Sequence, residues 1–308
     1  LRTLKITLFM SPLFVFLAIK LLAPFIPLLN IADMHLSLTD WSLAVSGFVA
    51  RERQSVLLLK MNNDPPGWGI AWERVLTIDP DDGAVLGQAV ESTASRIIGV
   101  TPGALWLYTG SVKLKRLVQF SLPALDRLYD LDDLEHIAPE VADIIDDVWA
   151  DGLEGNLLIR ALNGYYYRWL PRQQKLQKLS PDKPPRTPTL MASWKSCRLD
   201  YRGRLLDFRG CRPLELDGDR FTLRSVASGG THYFVIGRRR GEQIVWSVSD
   251  RQLFGALDED DPLRYLRFVT LYKDKLLLVA EDGSGVDDIY AAAIAVKDGS
   301  TVWSRTFW

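Results

Sequence analysis

Cysteine, histidine and methionine are scarce in this chain: two, three and four of its 308 residues. His35, His136 and His232 stand far apart, and none has a second histidine one helical turn away. Cys197 and Cys211 are 14 positions apart, not in C-x-x-C spacing. Structural zinc draws its ligands from such close pairs, so no zinc site is expected. There is no G-x-S-x-G, no Walker loop and no dinucleotide fingerprint, which removes the best-marked hydrolase and nucleotide-binding classes. A surplus of charge is missing too. The net charge is −1, so no overall field points to nucleic acid or to an anionic surface.

Aromatic residues are plentiful instead, with ten Trp, ten Tyr and twelve Phe, and they favour strands. The clearest strands lie near the end. Leu276 to Val279 is an apolar run, Glu281 to Gly285 a turn-rich segment, and Ile289 to Val296 a second run. Lys297-Asp298-Gly299-Ser300 then turns the chain into Thr301-Val302-Trp303. This β-meander cannot bury its apolar side alone. A looser copy runs from Val75 to Ile78, through Asp79-Pro80-Asp81-Asp82-Gly83, into Ala84 to Leu86. Further units centre on Trp106, Tyr166 and Phe234, the last with a predicted turn from Gly237 to Gly241 and a return strand on which Ile244, Trp246 and Val248 share a face. A sixth has room around Leu199 to Phe208. Units spaced 40 to 60 residues apart mean radial or linear repetition. The expected fold is all-β: a propeller of about six four-stranded blades, with five to seven allowed. One helix is expected from Ala138 to Trp149, with Pro139 in its first turn, inside an acidic insertion near 136–152.

The N-terminus reads differently. Arg2 and Lys5 precede an apolar segment, and Ile6 to Leu29 counts 24 residues, enough to cross a hydrocarbon core about 30 Å thick. Lys20, Pro12, Pro24 and Pro27 interrupt it, the lysine at a cost of about 3 kcal/mol at mid-bilayer. No small-residue cleavage site follows, so residues 1–30 read as an uncleaved signal or membrane anchor and residues 31–308 as the exported propeller domain. The flanking charges place that domain in the periplasm or outside a bacterial inner membrane. In such a compartment Cys197 and Cys211 are expected to form a disulfide, worth about 3 kcal/mol in the chain-entropy model.

The segment Ala293-Ile294-Ala295-Val296-Lys297-Asp298-Gly299-Ser300-Thr301-Val302-Trp303 resembles the repeat of quinoprotein-like (PQQ-like) β-propellers, whose blades end in an Ala-x-Asp-x-x-x-Gly-x-x-x-Trp pattern. Ala293, Gly299 and Trp303 fit, while Ala295 replaces the Asp. Thr77 to Gly87 fits at Asp79 and Gly83, with Gly87 in place of Trp, and Phe120 to Asp126 is a degenerate third copy. The resemblance implies a propeller. It extends to a scaffold lipoprotein of the outer-membrane barrel-assembly machinery and to quinone-dependent dehydrogenases. The adjacent cysteines, calcium ligands and catalytic Asp of those dehydrogenases have no counterparts here that match residue by residue.

Candidate sites are few. Asp282 with Asp287 and Asp288 is the acidic turn best placed for a calcium ion, against the plainer reading of a solvated turn. Arg238-Arg239-Arg240, at a predicted hairpin tip, is either a docking surface or a solubilising tip. Leu128 to Ile159 carries seven Asp and three Glu with no Lys or Arg, whereas Arg160 to Arg212 carries nine Arg and four Lys against three Asp. These blocks either face each other or steer a partner. The expected function is a non-enzymatic envelope scaffold that docks a protein or small ligand through its loops. An enzyme, or a propeller binding a quinone or metal in its central channel, is the alternative. No cofactor is expected, the partner is expected to be an envelope protein, and nucleic acid is not.

Overall fold

Leu276 to Ala280 is apolar at every position, which a strand buried on both faces requires. The computed structural model describes residues 41–49, 55–63, 72–91, 95–101, 103–111, 114–152, 154–179, 182, 215–228, 231–255, 264–282 and 289–307. The strand containing this run, β18 (Lys275–Asp282), sends Leu276, Leu278 and Ala280 into one core and Leu277 and Val279 into another. Alternation by two residues divides one strand between two neighbouring sheets.

The same logic repeats along the chain. Among the described residues five four-stranded antiparallel sheets follow one another, each with its strands in sequence order. The first holds β1 (Trp41–Val49), β2 (Val56–Asn63), β3 (Trp72–Ile78) and β4 (Val85–Glu91). The second holds β5 (Arg96–Val100), β6 (Ala104–Ser111), β7 (Leu114–Ser121) and β8 (Arg127–Asp130). The third holds β9 (Ile145–Asp151), β10 (Asn156–Ala161), β11 (Tyr166–Leu170) and β12 (Lys175–Lys178). The fourth holds β13 (Glu215–Leu216), β14 (Asp219–Ser228), β15 (Thr231–Arg240) and β16 (Gln243–Ser249). The fifth joins β17 (Arg264–Tyr272) and β18 to β19 (Ile289–Ala295) and β20 (Thr301–Phe307). Residues Asp40–Trp308 form one compact unit.

The described residues form four apolar cores that lie between sheets rather than within them. Leu58 and Val75 meet Leu105, Leu107 and Val118 between the first and second sheets. Trp106 and Leu117 meet Val148, Leu157 and Trp169 between the second and third. Phe221, Phe234 and Trp246 meet Leu276 and Leu278 between the fourth and fifth. Leu57, Leu59 and Met61 meet Leu277, Val279 and Trp303, joining the last sheet to the first. The opening strands also approach one another, β1 beside β17 and β5 beside β9. The fold is therefore all-β, with the sheet order of a β-propeller and the first sheet packed against both the second and the fifth.

Three expectations change. The helix expected over 138–149 is two short helices, α1 (Leu131–Ile137) and α2 (Pro139–Ala142), and Ile145 onward is strand β9. Val141, Ile145 and Val148 do share a core, but a helix and a strand deliver them to it. Helical spacing matched because a turn lies between the two. Next, the turn expected at Gly237 to Gly241 is mostly strand, since β15 continues to Arg240. Finally, Ile244 does not share the face of Trp246 and Val248. A bulge at Arg238/Arg239 inserts Val245, leaving Ile244 half exposed. The expected anchor, both cysteines, Asp287, Asp288 and the Leu199 to Phe208 unit lie outside the described residues. Among the described residues no helix is long and apolar enough to cross a membrane.

Candidate functional site

Antiparallel meanders have two ends, and here the two differ. One end carries the turns between first and second and between third and fourth strands of each sheet. In the first sheet the third turn closes with Gly83 N–H donating to Asp79 O (2.9 Å) and Asp79 N–H to Ala84 O (2.8 Å). The same pair recurs as Gly299 to Ala295 O (3.0 Å) with Ala295 to Ser300 O (2.8 Å), and as Leu125 to Ser121 O (3.0 Å) with Ser121 to Asp126 O (2.7 Å). These are the three segments whose sequences resemble one another. Asp79 supplies one further bond, accepting from Asp81 N–H at 2.8 Å. Asp298 accepts from Ser300 N–H (2.9 Å) as Asp82 accepts from Ala84 N–H (2.8 Å), so the turn at Ala295 keeps this bond and lacks only the one that Asp79 makes.

Each turn is also a socket for its neighbour. The Trp303 indole donates to Pro80 O (3.1 Å) and lies on Gly83, where φ is +76°. Trp246 donates to Val296 O (2.8 Å) over Gly299, where φ is +78°. A Cβ on Gly83 would stand 2.7 Å from the Trp303 ring, and one on Gly299 2.9 Å from that of Trp246. At Gly87, the position aligned with Trp303, the Pro123–Ala124 backbone of the second sheet comes so close that a Cβ would meet it at 2.4 Å. Gly87 is the place where one turn packs directly, without an indole.

Charges reinforce this end. Asp81 accepts from Lys273 (2.7 Å) and from Lys275 across the joint of first and fifth sheets. Those hydrogen bonds, Lys273's first, hold its carboxyl below the usual range, and its partnership raises the Lys273 ammonium. Arg238 and Arg240 lie at the end of β15, where the two-residue turn 241–242 joins it to β16. Both converge on the buried Asp219, at 2.5 and 2.7 Å, and Arg238 also donates to Val296 O at 2.7 Å. The Arg240 hydrogen bond, followed by that of Arg238, keeps the Asp219 carboxyl low against the opposing effect of burial. Arg239 donates to Glu242 O at 3.1 Å.

The opposite end carries the connections 64–71, 92–95, 131–144, 250–263 and 283–288, and with them α1, α2 and α3 (Asp250–Phe254). Here a layer of charge is buried between the first and second sheets. Lys60 Nζ lies 2.8 Å from Glu73 Oε2, with both side chains at most 2 % exposed. Lys60 also donates to Asn62 Oδ1 (2.8 Å), and Glu73 accepts from Ser95 N–H (2.7 Å) and the Ser95 hydroxyl. Glu91, directly across from Glu73 in the register, is 3 % exposed, forms an ion pair with Arg116 and accepts from Arg127 (2.9 Å). Every carboxylate in the layer faces a cation, which locks the joint between the two sheets.

The opposed charge blocks meet in the third sheet. Arg160 pairs with Asp146 (2.6 Å) and Arg168 with Asp151 (2.7 Å), while Arg96 reaches Asp147 from the second sheet. Asp130 is the N-cap of α1, its side chain accepting from Asp132 and Asp133 N–H, and Asp133 closes the capping box. Asp282 ends β18, and no cluster of metal-ligating side chains occurs among the described residues. Sequence reasoning missed Lys60, Glu73 and Glu91. The signal available was a lysine within the apolar run Val56–Met61.

No family model and no curated protein matches this chain. Among solved structures it is similar to hydrazine synthase of Kuenenia stuttgartiensis, at 9% identity over 80% of this chain and 62% of that one, with a TM-score of 0.24. It is also similar to TolB from Acinetobacter baumannii (12% identity, 85% and 66% covered, TM-score 0.23). A third is the Nup133 β-propeller domain of Vanderwaltozyma polyspora (10% identity, 86% and 74% covered, TM-score 0.18). The chain spans under two thirds of the length of the first two.

Proposed function

We propose that this chain is a docking module: a propeller closed as a ring of about six sheets, presenting the connections at one end to an envelope protein. The observation that carries this reading is the asymmetry of the two ends. At one, short turns are fastened to neighbouring sheets through Trp303, Trp246, Asp81 and Asp219. At the other, the connections 64–71, 131–144 and 250–263 are longer, and the three α-helices of the described residues lie on two of them. Exposed apolar side chains such as Leu162, 69 % exposed in the β10–β11 turn, add contact surface at that end. The apolar segment Ile6 to Leu29 anchors the module at the inner membrane, with the sheets on the far side.

Photo-crosslinking in cells tests the assignment of ends. A crosslinking amino acid at Leu162, Glu135 or Arg251 should trap one recurrent protein partner, whereas one at Lys273, Asp298 or Glu242 should not. A partner trapped only from the second set would overturn the proposal.

A further inference from the structure

Five asparagines occur in this chain, and Asn163 alone is followed by a glycine. We infer that Asn163 is a site of spontaneous deamidation, and that the Tyr167 hydroxyl restrains the reaction while the chain is folded. The substrate is the chain itself and the co-reactant is water. The inference does not rest on the docking reading above.

The turn between β10 and β11 has what the reaction needs. The Gly164 backbone nitrogen gives its proton to base in the solvent and attacks Asn163 Cγ. A new N–C bond closes a succinimide ring, the Cγ–Nδ2 bond breaks, and ammonia leaves. Water then opens the ring at either carbonyl, leaving aspartate or isoaspartate. A side chain on the residue after the asparagine obstructs the attack, and glycine has none. The surroundings do not replace it, since a Cβ built on Gly164 would meet nothing within 4 Å. Residues 162–165 are all exposed, so base and water reach both steps. Tyr165 N–H donates to Asn163 Oδ1 at 3.1 Å, the atom on which negative charge develops as the nitrogen attacks.

Two bonds oppose ring closure. Gly164 N–H donates to Ala161 O at 3.0 Å, which occupies the attacking nitrogen. Asn163 Nδ2 donates to the Tyr167 hydroxyl oxygen at 3.2 Å, which pins the leaving group and fixes the amide plane. Tyr167 is 8 % exposed and its ring sits in the core between the second and third sheets, so the hydroxyl does not follow the turn outward. The amide must let go of this fixed point before the ring can close. The product changes the surface. Leu162, directly before Asn163, donates its N–H to Ile144 O at 2.8 Å, so the new carboxylate stands beside the acidic connection 131–144. Isoaspartate also lengthens the main chain between β10 and β11 by a methylene.

The test ages the purified full chain in mildly alkaline buffer and follows every asparagine by peptide mass spectrometry, with aspartate and isoaspartate separated by chromatography. The peptide holding Asn163 should gain the single mass unit that separates an acid from its amide, ahead of those holding Asn30, Asn62, Asn63 and Asn156, and should contain isoaspartate. Tyr167→Phe keeps the ring in the core and removes only the hydroxyl. It should speed the conversion by about 2- to 10-fold, the factor that one net hydrogen bond commands. In urea the unaltered chain should convert faster than either folded form, and there Tyr167→Phe should make no difference, which separates restraint by the fold from an effect of sequence. An intact Asn163 while another asparagine converts would overturn the inference. So would equal rates in the folded unaltered chain and folded Tyr167→Phe, or an effect of Tyr167→Phe that persists in urea.

Discussion

Replacing Gly83 by alanine isolates the joint between the last sheet and the first. Two costs add. Gly83 sits at φ +76°, where any residue with a Cβ loses about 1–2 kcal/mol. Its new methyl would also lie 2.7 Å from Trp303 Cε3, on a ring that is 6 % exposed and hydrogen-bonded to Pro80 O. Overpacking of this kind costs about 1–3 kcal/mol more. Gly164 is the control. Its φ is +83°, but a Cβ there meets nothing within 4 Å, so Gly164→Ala should cost the backbone term alone. Urea titration followed by tryptophan fluorescence should therefore place Gly83→Ala about 1–3 kcal/mol below Gly164→Ala. Trp303→Ala alone should cost about 3–5 kcal/mol. In the double variant the steric part should vanish, giving a coupling of about 1–3 kcal/mol. Equal losses at Gly83 and Gly164, with no coupling to Trp303, would refute the docked indole.

Three further outcomes follow from the charges. Lys60→Met should destabilise by about 3–5 kcal/mol because Glu73 is left buried without its cation, and Lys60→Met with Glu73→Leu should recover most of it; chemical denaturation of the three variants checks this. The Asp81 carboxyl titrates below its ordinary value of 3.8, so the folded state binds fewer protons there than the unfolded chain. Its contribution is present above pH about 4 and lost as pH falls through the lowered value, and Asp81→Asn should flatten that part of the acid-stability curve, most visibly at low salt. Asp219→Asn should lower the thermal midpoint more than Asp298→Asn, because Asp219 is buried and holds two arginines whereas Asp298 bonds only within its own turn; melts of both variants under one condition compare them.

Strands buried on both faces were the legible part of the sequence. Val56 to Leu59, Leu105 to Leu107 and Leu276 to Val279 are apolar without interruption, and each is a strand shared between two cores. Val118, Phe120 and Leu122, which alternate along the chain, lie together in one core. The Gly83 and Gly299 turns were legible because positive φ demands glycine, and the Phe120 to Asp126 copy was faint because Leu125 adopts φ +61° without being one. What could not be read was whatever depends on register. The inserted Val245 turns Ile244 outward, and the turn after α2 makes a strand of half an expected helix. The fate of Arg238 to Arg240 depended on Asp219, a carboxylate 19 to 21 positions earlier that only strand pairing brings near. The buried layer of Lys60, Glu73 and Glu91 likewise exists only once three strands are in register.

The arrangement of the whole depends on the last sheet lying against the first. Asp81 and Lys273 are 192 positions apart in sequence and 2.7 Å apart in space. A zero-length carbodiimide crosslink on the unaltered monomer measures that contact with native side chains. Peptides joining Asp81 to Lys273 or Lys275 are the expected product. A folded monomer in which Asp81 links only to lysines elsewhere, or to none, would contradict the account.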